Sequence, residues 1–307
     1  MAIYARGYRP YVGEGKGAPA WVVIYREAYR LAFKNLGFRI IGTLFIVWFV
    51  MWASVLYFTL GIEEAAQQAS RGMLQTSVAD QLRVTLMRFY SGVSVLTALL
   101  AVLTGAGLIA DDLRTRALSL YLVRPLRNWE YVLGKALVLP HILAWTVLLP
   151  GLLFYVLVAM WHAPGNTFGW LADNIEIIDS VILTYLISTF SYTGLMLLLS
   201  ARTDRRGGVI AISAAIIFAG SLLVPILSQV DSVRDVAKHA GLPINAVSAI
   251  ARDAATAQLM GRNRPEQLEE VLSFIPEPGV SLGIGLVLLA LGLYSGLRRA
   301  ATVEVSA

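Results

Sequence analysis

Residues 40–61 read IIGTLFIVWFVMWASVLYFTLG, 22 residues without Asp, Glu, Lys or Arg. A bilayer core about 30 Å thick needs roughly 20 apolar helical residues to cross it. In hydrocarbon such a segment must satisfy its own backbone, so it reads as a transmembrane helix. Five further runs share its character: 89–110, 136–160, 181–200, 209–227 and 280–297, again without those four residue types. The 307-residue chain is 57% hydrophobic and 15% charged, with a mean hydropathy of +0.66. That balance excludes a disordered chain, a fibre and an ordinary water-soluble enzyme. The expected fold is an all-α polytopic membrane protein with six transmembrane helices.

Sidedness follows from the basic residues of alternate connections. Segments 1–39, 111–135, 201–208 and the tail after 297 hold 17 Lys and Arg against 7 acids. Segments 62–88, 161–180 and 228–279 hold 8 against 13. The first set is therefore expected in the cytoplasm, with both termini, and the second outside. The domains read as a cytoplasmic tail and interface helix over 1–39, a six-span unit over 40–297, and a tail over 298–307. The external 228–279 segment carries helix-like pieces such as Pro265–Phe274, with Leu268, Val271, Leu272 and Ile275 on one side. No cleavable signal is expected before the first span. The net charge of +5 is accounted for by this asymmetry rather than by nucleic acid.

Several chemistries are disfavoured. With no cysteine, thiolate metal sites and cysteine nucleophiles are excluded. Ion-coupled transporters keep ionisable groups at membrane depth, and here only His141 lies inside a span. It reads as a packing residue, beside Pro140 and ahead of Pro150, which are expected to kink the third span. The only approach to a phosphate loop, Gly13–Gly17, has glycine after Lys16 where Ser or Thr is required. No cofactor, catalytic residue or metal site is expected in this chain, and energy must come from elsewhere.

Two cytoplasmic elements stand out. Residues 21–39 place Trp21, Tyr25, Ala28, Tyr29, Ala32, Phe33 and Leu36 at helical spacing, with Arg26, Arg30 and Lys34 on the other face. This is the pattern of an amphipathic helix along the membrane surface; a solvated helical lead-in has the same periodicity. The 111–135 connection encloses an apolar turn, Ala117–Val123, between Arg114 and Arg116 on one side and Arg124 and Arg127 on the other. An apolar turn on a short polar loop requires a membrane or a partner to cover it.

Residues 107–135, GLIADDLRTRALSLYLVRPLRNWEYVLGK, resemble the permease subunits of type-2 ABC exporters. The features that match are Asp111 and Asp112 after the second span, the leucine-rich turn, Arg124-Pro125, Trp129-Glu130 and the closing Gly134-Lys135. Arg116-Ala117 stands where that family often has Gly-Thr. The resemblance implies a multi-pass permease of the cytoplasmic (inner) membrane that pairs with a second copy or a paralogue. It also implies two ABC-type ATPase subunits, which carry the ATP and Mg, docked on the 111–135 loop. The coupling residues would be Asp111, Asp112, Arg114, Arg116, Arg124, Pro125, Arg127, Trp129, Glu130 and Lys135, flanked by Trp21, Arg26, Arg30 and Lys34.

Glycines at Gly105, Gly107, Gly279, Gly283, Gly292 and Gly296 would allow close helix approach, between copies or within one chain. Membrane lipid and an external partner at 228–279 complete the expected contacts. Two other readings exist. A non-transporting scaffold could relay ATPase motion to an external partner using the same loop. An intramembrane prenyltransferase would need spaced aspartates holding Mg, but Thr115 and Ser119 occupy the next ligand positions. Spans without charge suit lipidic or aromatic cargo better than small ions.

Overall fold

The computed structural model describes residues 18–69, 77–115, 117, 127–227, 229–230, 234–239, 241, 246–261 and 265–306. Among these residues there is helix and turn but no strand. Six helical segments are long and apolar enough to cross a membrane: Leu36–Ile62, Val78–Arg114, Asn128–His162, Glu176–Arg202, Arg206–Val224 and Glu266–Thr302. Five of them enclose the runs read from the sequence, and the fifth overlaps its run.

Helix α1 (Ala20–Lys34) precedes α2 (Leu36–Ala69), which contains the first span. The break between them is a single residue. Asn35 adopts an extended backbone, and its Oδ1 accepts from the Gly37 N–H at 3.0 Å. A short amide side chain that bonds nearby backbone competes with helix propagation. The helix expected over 21–39 therefore ends at Lys34, and Arg39 belongs to α2.

The second span combines α3 (Val78–Gly105) with a short α4 (Ala110–Arg114). The third runs through α5 (Asn128–Ala136), α6 (Val138–Leu143), a π-helical turn (Ala144–Leu148) and α7 (Leu149–His162). A short α8 (Thr167–Asp173) leads to the fourth span, α9 (Glu176–Arg202), and α10 (Arg206–Leu227) forms the fifth. Next come α11 (Arg234–Ala237), α12 (Ser248–Gly261) and α13 (Pro265–Phe274), before α14 (Pro278–Ser306) makes the last crossing.

Burial divides the six into two shells. The apolar windows of spans 2, 3 and 4 are 67%, 56% and 67% buried, against 11%, 22% and 22% for spans 1, 5 and 6. The outer three carry large exposed apolar groups such as Val47, Phe58, Leu222 and Val287. In water such a surface would aggregate; in a bilayer it meets lipid.

Spans 4 and 6 make the most extensive helix pair. A Cβ on Gly194 would lie 2.3 Å from the Leu288 carbonyl carbon, and one on Gly292 would lie 2.5 Å from the Gly194 oxygen. The two backbones touch, which hydrocarbon-embedded helices achieve through small residues. In the third span the π-helical turn sits between Pro140 and Pro150. The carbonyls of Val147 and Pro140 accept from the hydroxyls of Tyr90 (2.6 Å) and Tyr185 (3.2 Å). Neighbouring spans thus supply donors where the local ladder is irregular.

The connections gather at two ends. At one end, α1 rests on α5, Arg206 reaches the 103–111 segment, and Gly296 of the last span lies near Val132 and Ile109. At the other, Arg83 bridges Asp80, Asp253 and Glu176 at 3.0, 3.2 and 3.4 Å. There α12 packs on α3 and α9, and Arg252 donates to the Leu272, Ile275 and Pro276 carbonyls that end α13. Within α13, Leu268 is buried and Val271 is exposed, so the expected four-residue face is only partly covered. Alternate connections therefore share an end.

Candidate functional site

The 111–135 connection leaves the second span through a turn. Leu108 N–H bonds the Gly105 carbonyl at 3.1 Å, after which α4 begins. Asp111 folds back over Gly107: a Cβ there would lie 2.4 Å from the Asp111 Oδ2, so a larger residue would displace that carboxylate. Across the turn, Arg206 places one amino group 3.5 Å from Asp111 Oδ2, while the other donates to the Leu103 carbonyl at 2.8 Å. Arg114 lies 3.9 Å from the second Asp111 oxygen. The start of the loop is thereby tied to the connection between spans 4 and 5.

Asp112 ties it to its own far end. Lys135 Nζ lies 2.8 Å from Asp112 Oδ2, and the Tyr131 hydroxyl donates to the same oxygen at 2.8 Å. The Lys135 ammonium is also 5.8 Å from the Tyr131 ring centroid, within cation–π range. Only 8% of the Lys135 side chain and 14% of Asp112 are exposed. In this half-dry setting each charge depends on the other, because a buried charge without a partner is strongly unfavourable.

The loop re-enters helix at α5. The Glu130 carboxylate accepts from the Arg127 N–H at 3.1 Å, closing the first turn as a capping carboxylate does. Arg127 and Trp129 are exposed there, and Arg114 and Thr115 are exposed on the other arm. The loop thus has an inward set, Asp112 and Lys135, and an outward set, Arg114, Arg127 and Trp129. Arg116, Arg124, Pro125 and most of the apolar turn lie outside the described residues.

Helix α1 is the second layer of this end. A Cβ on Gly134 would lie 2.7 Å from the Trp21 carbonyl oxygen and 3.0 Å from Ile24, so α1 crosses α5 at this glycine. Trp21 is half-buried in the crossing, while Arg26, Arg30 and Lys34 are exposed. Tyr25 meets His141 Nδ1 at 2.8 Å, and the Trp145 indole N–H donates to His141 Nε2 at 3.1 Å. An indole only donates. Nε2 must therefore be bare, and Nδ1 carries the proton and donates to the Tyr25 oxygen. His141 is a packing residue that joins α1 to the third span.

The glycines sort by neighbour. A Cβ on Gly105 would lie 2.3 Å from Met196, one on Gly292 would meet Gly194, and one on Gly296 would lie 3.2 Å from Val132, all within one chain. Gly279 and Gly283 face open space. Gly194 was not among the glycines picked out by spacing, because it has no glycine partner four residues away. Its only sequence signal is the run of small polar residues around it. Among the described residues no group of three His, Asp or Glu could hold a metal ion.

This arrangement is a braced, basic and aromatic surface at one end of a six-span bundle. Residues 22–276 match the family described as ABC-2 family transporter protein. No similar chain is found among curated proteins. The match takes in the loop, α1 from its third residue and five of the six spans, so the chain belongs to the ABC-2 transporter family, as a multi-pass membrane permease subunit.

Proposed function

We propose that this chain is the membrane subunit of an ATP-driven exporter of the cytoplasmic membrane, with both termini in the cytoplasm. Two copies, or one copy and a paralogue, form the twelve-span unit, and two ABC ATPase subunits dock on the 111–135 loop and α1. The observation that carries this reading is the division of the loop into buried clasp and exposed arginines. Asp112 and Lys135 pin both arms at one buried point 2.8 Å wide. A force applied to Arg114, Arg127 and Trp129 is then delivered to spans 2 and 3 rather than absorbed by a slack loop. The basic excess at this end supports a cytoplasmic placement, and the exposed guanidiniums suit carboxylates on a partner.

The test is isolation of the tagged chain from its native membrane. It should bring down an ABC ATPase with ATP turnover, and cysteines placed at Ala307 and Gly165 should react from opposite faces of the membrane. A chain recovered without an ATPase, or with both cysteines reactive from one face, would overturn the reading.

A further inference from the structure

Between span 1 and span 3 the surface is cut by a groove of about 740 Å³. Its walls are apolar and aromatic: Phe38, Phe45 and Phe49 from α2 face Trp145, Leu149 and Leu153 from the third span. The volume falls in the range of small-molecule sites. Two observations identify what fills it.

The first is its reach. The α2 lining runs from Phe38 and Arg39 to Phe49. Ten residues of helix rise about 15 Å, which is half of a bilayer core about 30 Å thick. The groove is one leaflet deep, and it runs along span 1, the least buried of the six.

The second is its charge. Arg39 stands at the mouth, on the α1 side. Its Nε donates to the Phe33 carbonyl at 2.8 Å, and its terminal amino groups have no partner among the described residues. A guanidinium held by its inner edge with its outer edge free is disposed to take an anionic oxygen cluster. No acidic side chain lines the groove. The π-helical turn contributes Trp145 to the wall, and His141 fixes that indole by its N–H. Such turns recur at functional positions.

We propose that this groove is a binding site for one anionic phospholipid of the surrounding leaflet, with its phosphate on Arg39 and an acyl chain along Phe45, Phe49 and Leu153. The groove borrows Tyr29 and Phe33 from α1 but no residue of the 111–135 loop, and its test reads lipid retention rather than ATPase docking, so either proposal can fail without the other.

Gly42 makes the test clean. It lines the groove, and a Cβ placed on it meets nothing within 4 Å. Gly42→Phe therefore has room for its Cβ and sends its ring into the groove. Gly61, which also faces open space and lies outside the groove, serves as control. The purified full chain is equilibrated with mixed micelles holding equimolar phosphatidylglycerol and phosphatidylcholine of the same acyl chains. Retained lipid is then counted by native mass spectrometry.

The wild type should keep one phosphatidylglycerol in preference to phosphatidylcholine by about fivefold, the effect of one basic residue at a charged membrane surface. Arg39→Gln should equalise the two lipids, and Arg39→Lys should keep the preference. Gly42→Phe should lose both lipids while Gly61→Phe loses neither. Equal retention of the two lipids by the wild type would overturn the proposal. So would a preference that survives Arg39→Gln. If Gly42→Phe melts with the wild type and keeps its lipid, the groove is not the site. If it melts lower, the two Arg39 variants decide.

Discussion

Asp112 Oδ2 and Lys135 Nζ meet at 2.8 Å, joining the two arms of the 111–135 connection. Losing one partner of a buried pair leaves the other charge uncompensated, at a cost of about 3–5 kcal/mol. Lys135→Met and Asp112→Leu should each destabilise the purified chain by that amount. The double variant should cost less than the two combined. Denaturation of all four proteins completes the cycle, and strictly additive losses would show that the pair is not coupled.

Gly194 and Gly283 should respond oppositely to a methyl group. Gly194→Ala forces a Cβ into the Leu288 and Leu289 backbone, and overpacking of this kind costs about 1–3 kcal/mol. Gly283→Ala meets open space and should leave the melting temperature of a single chain unchanged. If Gly283→Ala instead weakens a dimer seen by native mass spectrometry, that face of span 6 is where copies meet.

The His141 ring should carry its proton on Nδ1, because Trp145 can only donate to Nε2. Nitrogen chemical shifts of labelled histidine in the purified protein at neutral pH read the tautomer directly. Tyr25→Phe removes the acceptor at 2.8 Å and should cost about 0.5–1.5 kcal/mol. A proton on Nε2 would contradict the assignment.

Burial pushes the Asp253 carboxyl above its ordinary 3.8, with the Arg83 guanidinium pulling the other way and losing. A folded value raised in this way stabilises the protein below pH 3.8, and that contribution is lost as pH rises through the raised value. The wild type should therefore gain stability relative to Asp253→Asn as pH falls from neutral through that window. Melting curves of both proteins across the window test this; a wild type that loses ground to Asp253→Asn would reverse the sign.

The spans and the end-to-end order of their connections were legible because a charge-free run of 18 or more residues has few alternatives to crossing a membrane. The 107–135 segment pointed to the family for a different reason, since its residues carry a family pattern. What the sequence hid was direction. Asp112 and Arg114 both read as polar loop residues, yet one is largely covered and paired with Lys135 and the other is exposed. That difference is made by a contact between residues far apart in the chain. The break at Asn35 was masked because apolar spacing continues across it. The Gly194–Leu288 contact was hidden because a lone glycine has no periodicity. The groove, in turn, exists only once spans 1 and 3 lie side by side.

The most direct test of the central claim is charge reversal on the exposed arms of the loop. Arg114→Glu with Arg127→Glu leaves the Asp112–Lys135 clasp intact, so the chain should fold and reach the membrane as before. It should lose its ATPase on purification, since a charged contact deprived of its partner costs about 2–5 kcal/mol or more. The same reversal at Arg262 and Arg264, in the segment before the last span, should retain the ATPase and its turnover. An Arg114→Glu, Arg127→Glu chain that still holds its ATPase and couples normally would contradict the account and make this loop a passive connection.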